Sequence, residues 1–419
     1  MTRPDASAAG RRATGRWLVL AALWAVYFSF GAVATSLAPL LPLVAEEIGS
    51  DNARMGLILG AWPLVYLFAA VPAGLLLDVV GGRLALCLAG LLIGASGIGR
   101  ALADTEAAMF LAVAVLGLGG PLVSIGAPKL IAALFSGARR GLALGINLTG
   151  PALGSSFSLA LSHGVLLPMT GDWRLVLALY GGLGVASGLL WFLVAHPSRL
   201  PEREPPAGRG DEAPGADGLR AVLGQNAVRL VLLMAVAIFF LNHAMNNWLP
   251  EILRAGGLAP GPAGFLAAVP TLVGIAGALL IPGLASSARR LKVLMGLSLG
   301  ALLGSLLLQG AALVTLVPAL VLLGLCRGAL VPVATLALLE ARGVAARRHG
   351  MVIGLFFAAG ELGGVLGPVT LGVLARRTGD FATGTATLAL VAAGLVALTA
   401  LLAREERGRR SAPEVEPLA

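Results

Sequence analysis

Twelve stretches of about 20 or more predominantly apolar residues divide this chain, and they limit its fold more than any other feature. They lie near 18–43, 54–77, 84–103, 107–132, 141–167, 174–195, 228–249, 262–284, 291–311, 314–338, 350–374 and 382–403. At 1.5 Å per residue, each can cross a hydrocarbon layer of roughly 30 Å as a single helix. Composition agrees: 58% of the residues are hydrophobic and 12% charged, with a mean hydropathy of +0.91, whereas soluble domains carry about 25% charged residues. No soluble core of a 419-residue chain hides so much apolar surface. The 58 glycines fit the same solvent, because small residues let membrane helices approach closely. The first run follows Arg11, Arg12 and Arg16 and contains Ala32-Val33-Ala34. It is too long for the apolar core of a signal peptide, and eleven further runs follow it. The Arg11-Arg12 pair therefore reads as a charge anchor rather than an export signal.

The net charge of +9 does not point to nucleic acid. Its basic residues sit in short clusters between apolar runs, as cytoplasmic loop charges do. With the N-terminus inside, about 22 Lys and Arg fall on the cytoplasmic side and six outside, at Arg54, Arg100, Arg174, Arg254, Arg376 and Arg377. That asymmetry places both termini and the central loop in the cytoplasm. Cys87 and Cys326 lie inside apolar runs without metal-ligand spacing and read as small buried hydrophobes. No cofactor or metal is expected, and no nucleophile motif, phosphate loop or clustered His/Cys/Glu set argues for an enzyme.

One long hydrophilic segment, 196–227, holds Pro197, Pro201, Pro205, Pro206 and Pro214 among mixed charges and reads as a flexible linker. It separates an N-terminal unit (1–195) from a C-terminal unit (228–403), followed by a short charged tail (404–419) expected to be disordered. The two units resemble each other. Gly141, Gly145 and Gly154 recur as Gly350, Gly354 and Gly363 at a constant offset, each set preceded by a basic pair, Arg139-Arg140 or Arg347-Arg348. Pro72 has a counterpart near Pro282. Two parallel six-helix repeats imply a substrate site between them near the midplane and alternating access by rocking.

The loop after the second run reads Gly74-Leu75-Leu76-Leu77-Asp78-Val79-Val80-Gly81-Gly82-Arg83. An acid ends one helix and a base starts the next across a tight glycine turn, an arrangement able to latch two helices in one conformation. Here the chain resembles the major facilitator superfamily, whose hallmark loop is Gly-x-x-x-Asp-x-x-Gly-Arg-Arg or Lys. Gly74, Asp78, Gly81 and Arg83 match it, and Gly82 stands where the family often has a base. The equivalent second-half loop, Ser286-Ser287-Ala288-Arg289-Arg290, keeps the bases and lacks the acid. The resemblance implies an all-α membrane protein of twelve transmembrane helices in two pseudo-symmetric six-helix bundles, the major facilitator fold. It also implies a secondary transporter of the bacterial cytoplasmic membrane that needs no second subunit. In the fifth helix, Gly150, Pro151 and Gly154 resemble a Gly-Pro-x-x-Gly motif seen in exporters of the family and are expected to bend the helix. Asp172-Trp173-Arg174 is similar to a common outer-loop motif and reads as an interfacial anchor. Gly60-Ala61-Trp62-Pro63 and Asn246-Asn247-Trp248-Leu249-Pro250 are similar to stretches of the bacterial cyanate and 2-nitroimidazole porter branch.

Polar residues inside apolar spans are costly and should face a partner or a cavity. Arg327 lies midway down the tenth span, Glu361 midway down the eleventh and Lys129 in the inner third of the fourth. Lys129 is read as reaching the cytoplasmic interface, Arg100 and His163 as lying near the outer surface. The seventh span carries Asn242 and Asn246 on one helical face and His243 and Asn247 on the next. In the family, helices one, four, seven and ten line the cavity. The resemblance therefore assigns Asn242, Asn246 and Arg327 to substrate binding, with Tyr27 from the first helix. Arg327 offers forked donors to a carboxylate or oxyanion; the structural alternative is a buried pair with Glu361. Glu361 is the candidate for a coupling proton and His243 a second, with a neutral, hydrogen-bonded histidine as the alternative. The expected function is transport of a small anionic or polar solute, coupled to protons through these groups, with drug or metabolite efflux as the alternative. The carrier is expected to be a monomer.

Overall fold

The computed structural model describes residues 6–196, 216–310, 312–341 and 349–411. Arg347-Arg348 and most of the proline-rich linker lie outside the described residues. Among those described there is no strand. The helices are α1 (Ala6–Thr35), α2 (Leu41–Glu47), α3 (Asn52–Leu102), α4 (Glu106–Leu134), α5 (Gly137–Leu161), α6 (Leu167–Thr170), α7 (Trp173–Val194) and α8 (Ala216–Leu223). They continue with α9 (Asn226–Ala255), α10 (Pro260–Leu280), α11 (Arg290–Leu307), α12 (Leu313–Leu339), α13 (His349–Thr378) and α14 (Ala382–Ser411).

Eleven of the described segments are long and apolar enough to span a membrane, and one of them, α3, has 51 residues. At 1.5 Å per residue that is about 77 Å, two crossings rather than one. The helical path breaks at Gly81, with φ 80° and ψ 162°, a region that side chains bar to every residue but glycine. Twelve crossings result. Spans two and three are the two parts of α3, span five is α5 with the turn into α6, and α9 to α14 are spans seven to twelve. Where the chain emerges at the far side, side-chain caps set helix starts: Asp51 accepts from the amide of Arg54 at 3.0 Å, Thr105 from Ala108 at 3.2 Å and Asp172 from Arg174 at 2.8 Å.

Two segments carry more helix than their composition suggests. Residues 216–223, within the stretch assigned to the linker, form α8, and α14 continues through Ser411, so the tail expected to be disordered from Arg404 is helical in its first eight residues. Arg404, Glu405, Glu406 and Arg407 are good helix formers and extend a helix already nucleated in the span.

The internal repeat is visible in the packing. A methyl placed on Gly154 of α5 would lie 2.0 Å from the carbonyl oxygen of Phe28 on α1. A methyl on Gly363 of α13 would lie 2.0 Å from that of Val236 on α9. Both crossings bring backbone against backbone, which only glycine permits. The other repeat members differ: no atom crowds Gly141, Gly350 or Gly354, and Gly145 meets only Leu279 at ordinary contact distance.

The halves meet along two seams, both toward the end away from the chain termini. On α3 and α13, Gly56 faces the carbonyl of Pro368 and Gly372 faces that of Asn52. On α5 and α10, Gly264 faces the carbonyl of Leu159. An ion pair joins Asp51 to Arg376 across the first seam at 3.3 Å. Toward the terminus-bearing end, Phe68, Val71, Leu75 and Val79 of α3 and Leu279, Leu280 and Leu284 of the second half are exposed. The structure is closed at one end and open at the other.

Candidate functional site

A cavity of about 220 Å³ lies where α5, α9, α10 and α12 converge. Leu148, Thr149 and Ala152 line it from the first half; Asn242, Asn246, Pro270, Thr271, Gly274 and Arg327 line it from the second. Its walls are mostly apolar, with Thr149 and Thr271 on them and the only charge among the lining residues at Arg327.

Arg327 is only 8% exposed. Its Nε donates to Asn242 Oδ1 at 2.8 Å, and its Nη2 donates to the Asn242 carbonyl at 2.9 Å and to Asn246 Oδ1 at 2.8 Å. The i, i+4 spacing of the asparagines along α9 is what lets one guanidinium engage both. The acceptors are neutral, so the positive charge is positioned without being cancelled. Both amide oxygens being committed to Arg327, each asparagine presents its NH2 group instead. Neither NH2 nor Nη1 of Arg327 has a hydrogen-bond partner among the described residues. The result is a buried unit charge with three unused donor groups at one wall of a mostly apolar cavity. That is a recognition surface for an anion or a strong acceptor. Thr149, across the cavity, is held by donating to the Ile146 carbonyl and accepting from Trp24 Nε1 at 3.0 Å.

Glu361 and Arg327, both buried, share no hydrogen bond or ion pair, so the alternative of a structural pair is not formed. Glu361 is 5% exposed, its Oε2 has no hydrogen-bond partner, and His243 Nε2 lies 4.0 Å from it. His243 is sandwiched between Trp62 of α3, centroids 5.0 Å apart, and Phe239, at 6.0 Å. Asn247 donates to the His243 carbonyl at 2.8 Å. The polar band of α9 is thus split as the helical period requires, one face toward Arg327 and the cavity, the next toward Glu361 and the first half. Tyr27 lies on α1 near Phe30, with ring centroids 6.1 Å apart, and is not among the residues lining the cavity.

The hallmark loop departs from a simple acid-to-base latch. Asp78 pairs with Lys129 of α4, so Lys129 does not merely reach for the interface. Arg83 donates from Nε and Nη2 to the Phe192 carbonyl at 3.2 and 3.1 Å and lies 4.0 Å over the Phe192 ring. No atom crowds Gly74 or Gly81. The second half supplies its own acid from elsewhere: Arg290 pairs with Glu340 at the end of α12. That hydrogen bond holds the Glu340 carboxyl below its usual range, so the pair persists at neutral pH and is lost only as acid titrates that lowered value. Loop spacing could not reveal Glu340, because it lies some fifty residues further on.

Gly150 and Gly154 of the Gly-Pro-x-x-Gly motif pack on α1, and Gly31 reciprocates by facing the Pro151 carbonyl. Two readings are corrected. Arg100 is not interfacial: it is 1% exposed and donates from Nη1 to the Val33 carbonyl and to Ser36 Oγ, satisfying the broken end of α1. Asp172-Trp173-Arg174 does more than anchor. Trp173 and Arg174 both donate to Glu47, and Arg174 also donates to the carbonyls of Ala101 and Ala103, tying the ends of spans one, three and six on the side away from the chain termini. His163 is half-buried in the π-turn between α5 and α6.

Comparison with known proteins agrees with this architecture. The chain is 23% identical to an uncharacterized transporter, YycB, of Bacillus subtilis, covering 92% of each chain. It is 25% identical to a D-galactonate transporter of Escherichia coli O6:H1, over 80% of this chain and 84% of that one. It is 27% identical to a quinolone resistance transporter of Acinetobacter baumannii, over 89% and 90%. Its fold matches a bacterial homologue of the lysosomal transporter Spinster solved inward-facing and unoccupied, with a TM-score of 0.74, 16% identity, and 93% and 97% of the two chains covered. Residues 23–368 match the Major Facilitator Superfamily, and the chain belongs to that family of membrane transporters.

Proposed function

We propose that this protein is a secondary transporter of the bacterial cytoplasmic membrane that carries a small anionic or polar solute by alternating access, as a monomer and coupled to protons. The observation that carries the solute class is Arg327, buried, charged, held by two neutral asparagines and left with an unused nitrogen at the cavity wall. Asn242 and Asn246 orient it and add their own donors; Tyr27 is assigned to the approach from the first half. One relative named a D-galactonate transporter, and one named a probable galactarate/D-glucarate transporter, favour a hydroxylated carboxylate. Membership of the cyanate and 2-nitroimidazole branch is the finer proposal, resting on the stretches around Trp62 and Trp248.

Loop charges orient the molecule with both termini in the cytoplasm, and the open end then faces inward. Asp78 with Lys129 and Arg83 with Phe192 act as the inner latch of the first half, and Gly150, Pro151 and Gly154 shape the α5 wall. Glu361 and His243 are the groups proposed to take the coupling proton: a buried carboxylate without a counter-charge, beside an imidazole, is costly to keep ionised. A second reading, efflux of a drug or metabolite by antiport, is favoured by the Gly150-Pro151 and Gly154 motif of α5 and by the quinolone resistance relative.

A thermal-shift comparison separates the two. D-galactonate and D-glucarate are expected to raise the melting temperature of the wild type, with saturation at about 100 times Kd adding about 2.7 kcal/mol. They should leave a folded Arg327→Ala unchanged. Stabilisation of both proteins by tetraphenylphosphonium, with none by the sugar acids, would overturn the anion reading in favour of efflux.

A further inference from the structure

Trp62 lies in the Gly60-Ala61-Trp62-Pro63 stretch, which neither the cavity nor the hallmark loop accounts for. Its indole stacks on His243 with centroids 5.0 Å apart and planes 29° apart, and this is a contact between the two halves. It sits on α3 just inward of the seam where Asn52 and Gly56 press on Gly372 and Pro368 of α13. The residue facing His243 from α13 is Glu361. One helix pair thus carries both the closed seam and the two ends of a Trp62–His243–Glu361 chain.

We propose that Trp62 is the coupling residue through which the first half reads the protonation state of His243 and Glu361 in the second. This rests on the proton-coupling reading above. A neutral imidazole holds an indole by dispersion alone. An imidazolium adds the attraction of a cation to the ring face. Protonation therefore tightens the one aromatic contact between α3 and α9 and favours the conformer in which the far end is shut. Loss of the proton loosens it and frees the halves to rock. The charged and titratable groups that bear on His243 are few: Glu361 on α13, Arg327 on α12, and the phenols of Tyr27 on α1 and Tyr66 on α3, both within the field of Glu361. Trp62 acts through His243 and touches neither proton nor solute, so it is a positioning residue.

The test uses the full chain in lipid nanodiscs, with Cys87→Ser, Cys326→Ala and spin labels at Glu46→Cys and Thr383→Cys, on opposite halves at the closed end. Acidification is expected to enrich the short-distance population. That enrichment should vanish in His243→Gln and in Trp62→Leu and persist in part in Trp62→Phe, all three melting as the parent does. Indole emission assigned to Trp62, as the difference between parent and Trp62→Phe, should be quenched on acidification and unquenched in His243→Gln. If Trp62→Leu keeps the full acid response while His243→Gln loses it, the proton site stands and the role of Trp62 is overturned. If the parent shows no acid response, or His243→Gln keeps it, the proton reading fails, and this one with it.

Discussion

At the scale of single residues, the protein's chemistry depends on which polar atoms are already occupied. Arg327 is useful because its partners are amides. Replacing Asn242 with Asp would keep the shape and set a carboxylate where Nε now finds an amide oxygen at 2.8 Å. The site's net charge would fall to zero while the fold remains. Charge-assisted hydrogen bonds are worth roughly 1.5–3 kcal/mol, so Asn242→Asp should weaken D-galactonate binding by about 10-fold or more. Titration calorimetry on purified protein checks it, and unchanged affinity would mean the anion contacts something else. The residues of this site were legible in the sequence because asparagine, arginine and glutamate are conspicuous in a lipid-facing composition. Their pairing was not. Arg327 and Glu361 lie on neighbouring spans and could have met; the α9 register, presenting Asn242 and His243 about 100° apart on the helix, sends them to different neighbours. Trp62 was noticed as part of a resemblance and gained meaning only when α3 and α9 were seen to touch.

At the scale of helices, the glycine repeat separates crossings from coincidences. Gly154 and Gly363 place backbone on backbone, whereas Gly350 and Gly354 face open space. Gly363→Ala and Gly154→Ala should each cost about 1–3 kcal/mol by forcing a tightly packed pair apart. Gly354→Ala should be neutral or stabilise by up to about 1 kcal/mol through helix propensity. Melting temperatures in one detergent decide it, and equal losses at Gly154, Gly363 and Gly354 would mean the repeat marks something other than crossings. Helix number and placement were readable because runs of about 20 apolar residues allow few alternatives. The tight glycine turn expected between spans two and three is shorter than a loop: a single non-helical residue, Gly81, inside α3, in a backbone region reserved for glycine. Arg100 reads as interfacial in the sequence because a helix end left open at Ser36, which it serves, has no signature in local composition.

For the whole molecule, closure at one end is held by two glycine seams and by the Asp51–Arg376 pair. Asp51 also caps α3 and is only partly exposed, so its pair contributes about 0.5–1 kcal/mol after solvent screening. A carrier whose two states are nearly balanced is sensitive to that amount. Arg376→Gln, which leaves the cap intact, should shift the population toward the far-side-open state by about 2–5-fold. Alkylation rates of a cysteine at Thr271, a cavity position, measured with an impermeant reagent from each side, report the shift; no change from either side would show that the seams alone set the balance. The six-plus-six plan was visible in the proline-rich break and the loop charges. Which end is shut was not, because a sequence that serves both states of a rocking machine favours neither in its pattern.

The even number of crossings in each half has a consequence for biogenesis. Six helices return the chain to the side from which it started, so the first bundle can leave the translocon complete, with nothing left to thread. The second is then inserted from the same face as an independent hairpin series. Among the described residues the two surfaces meet chiefly along α3 with α13 and α5 with α10, and those seams close by lateral diffusion in the bilayer rather than by any passage of chain across it.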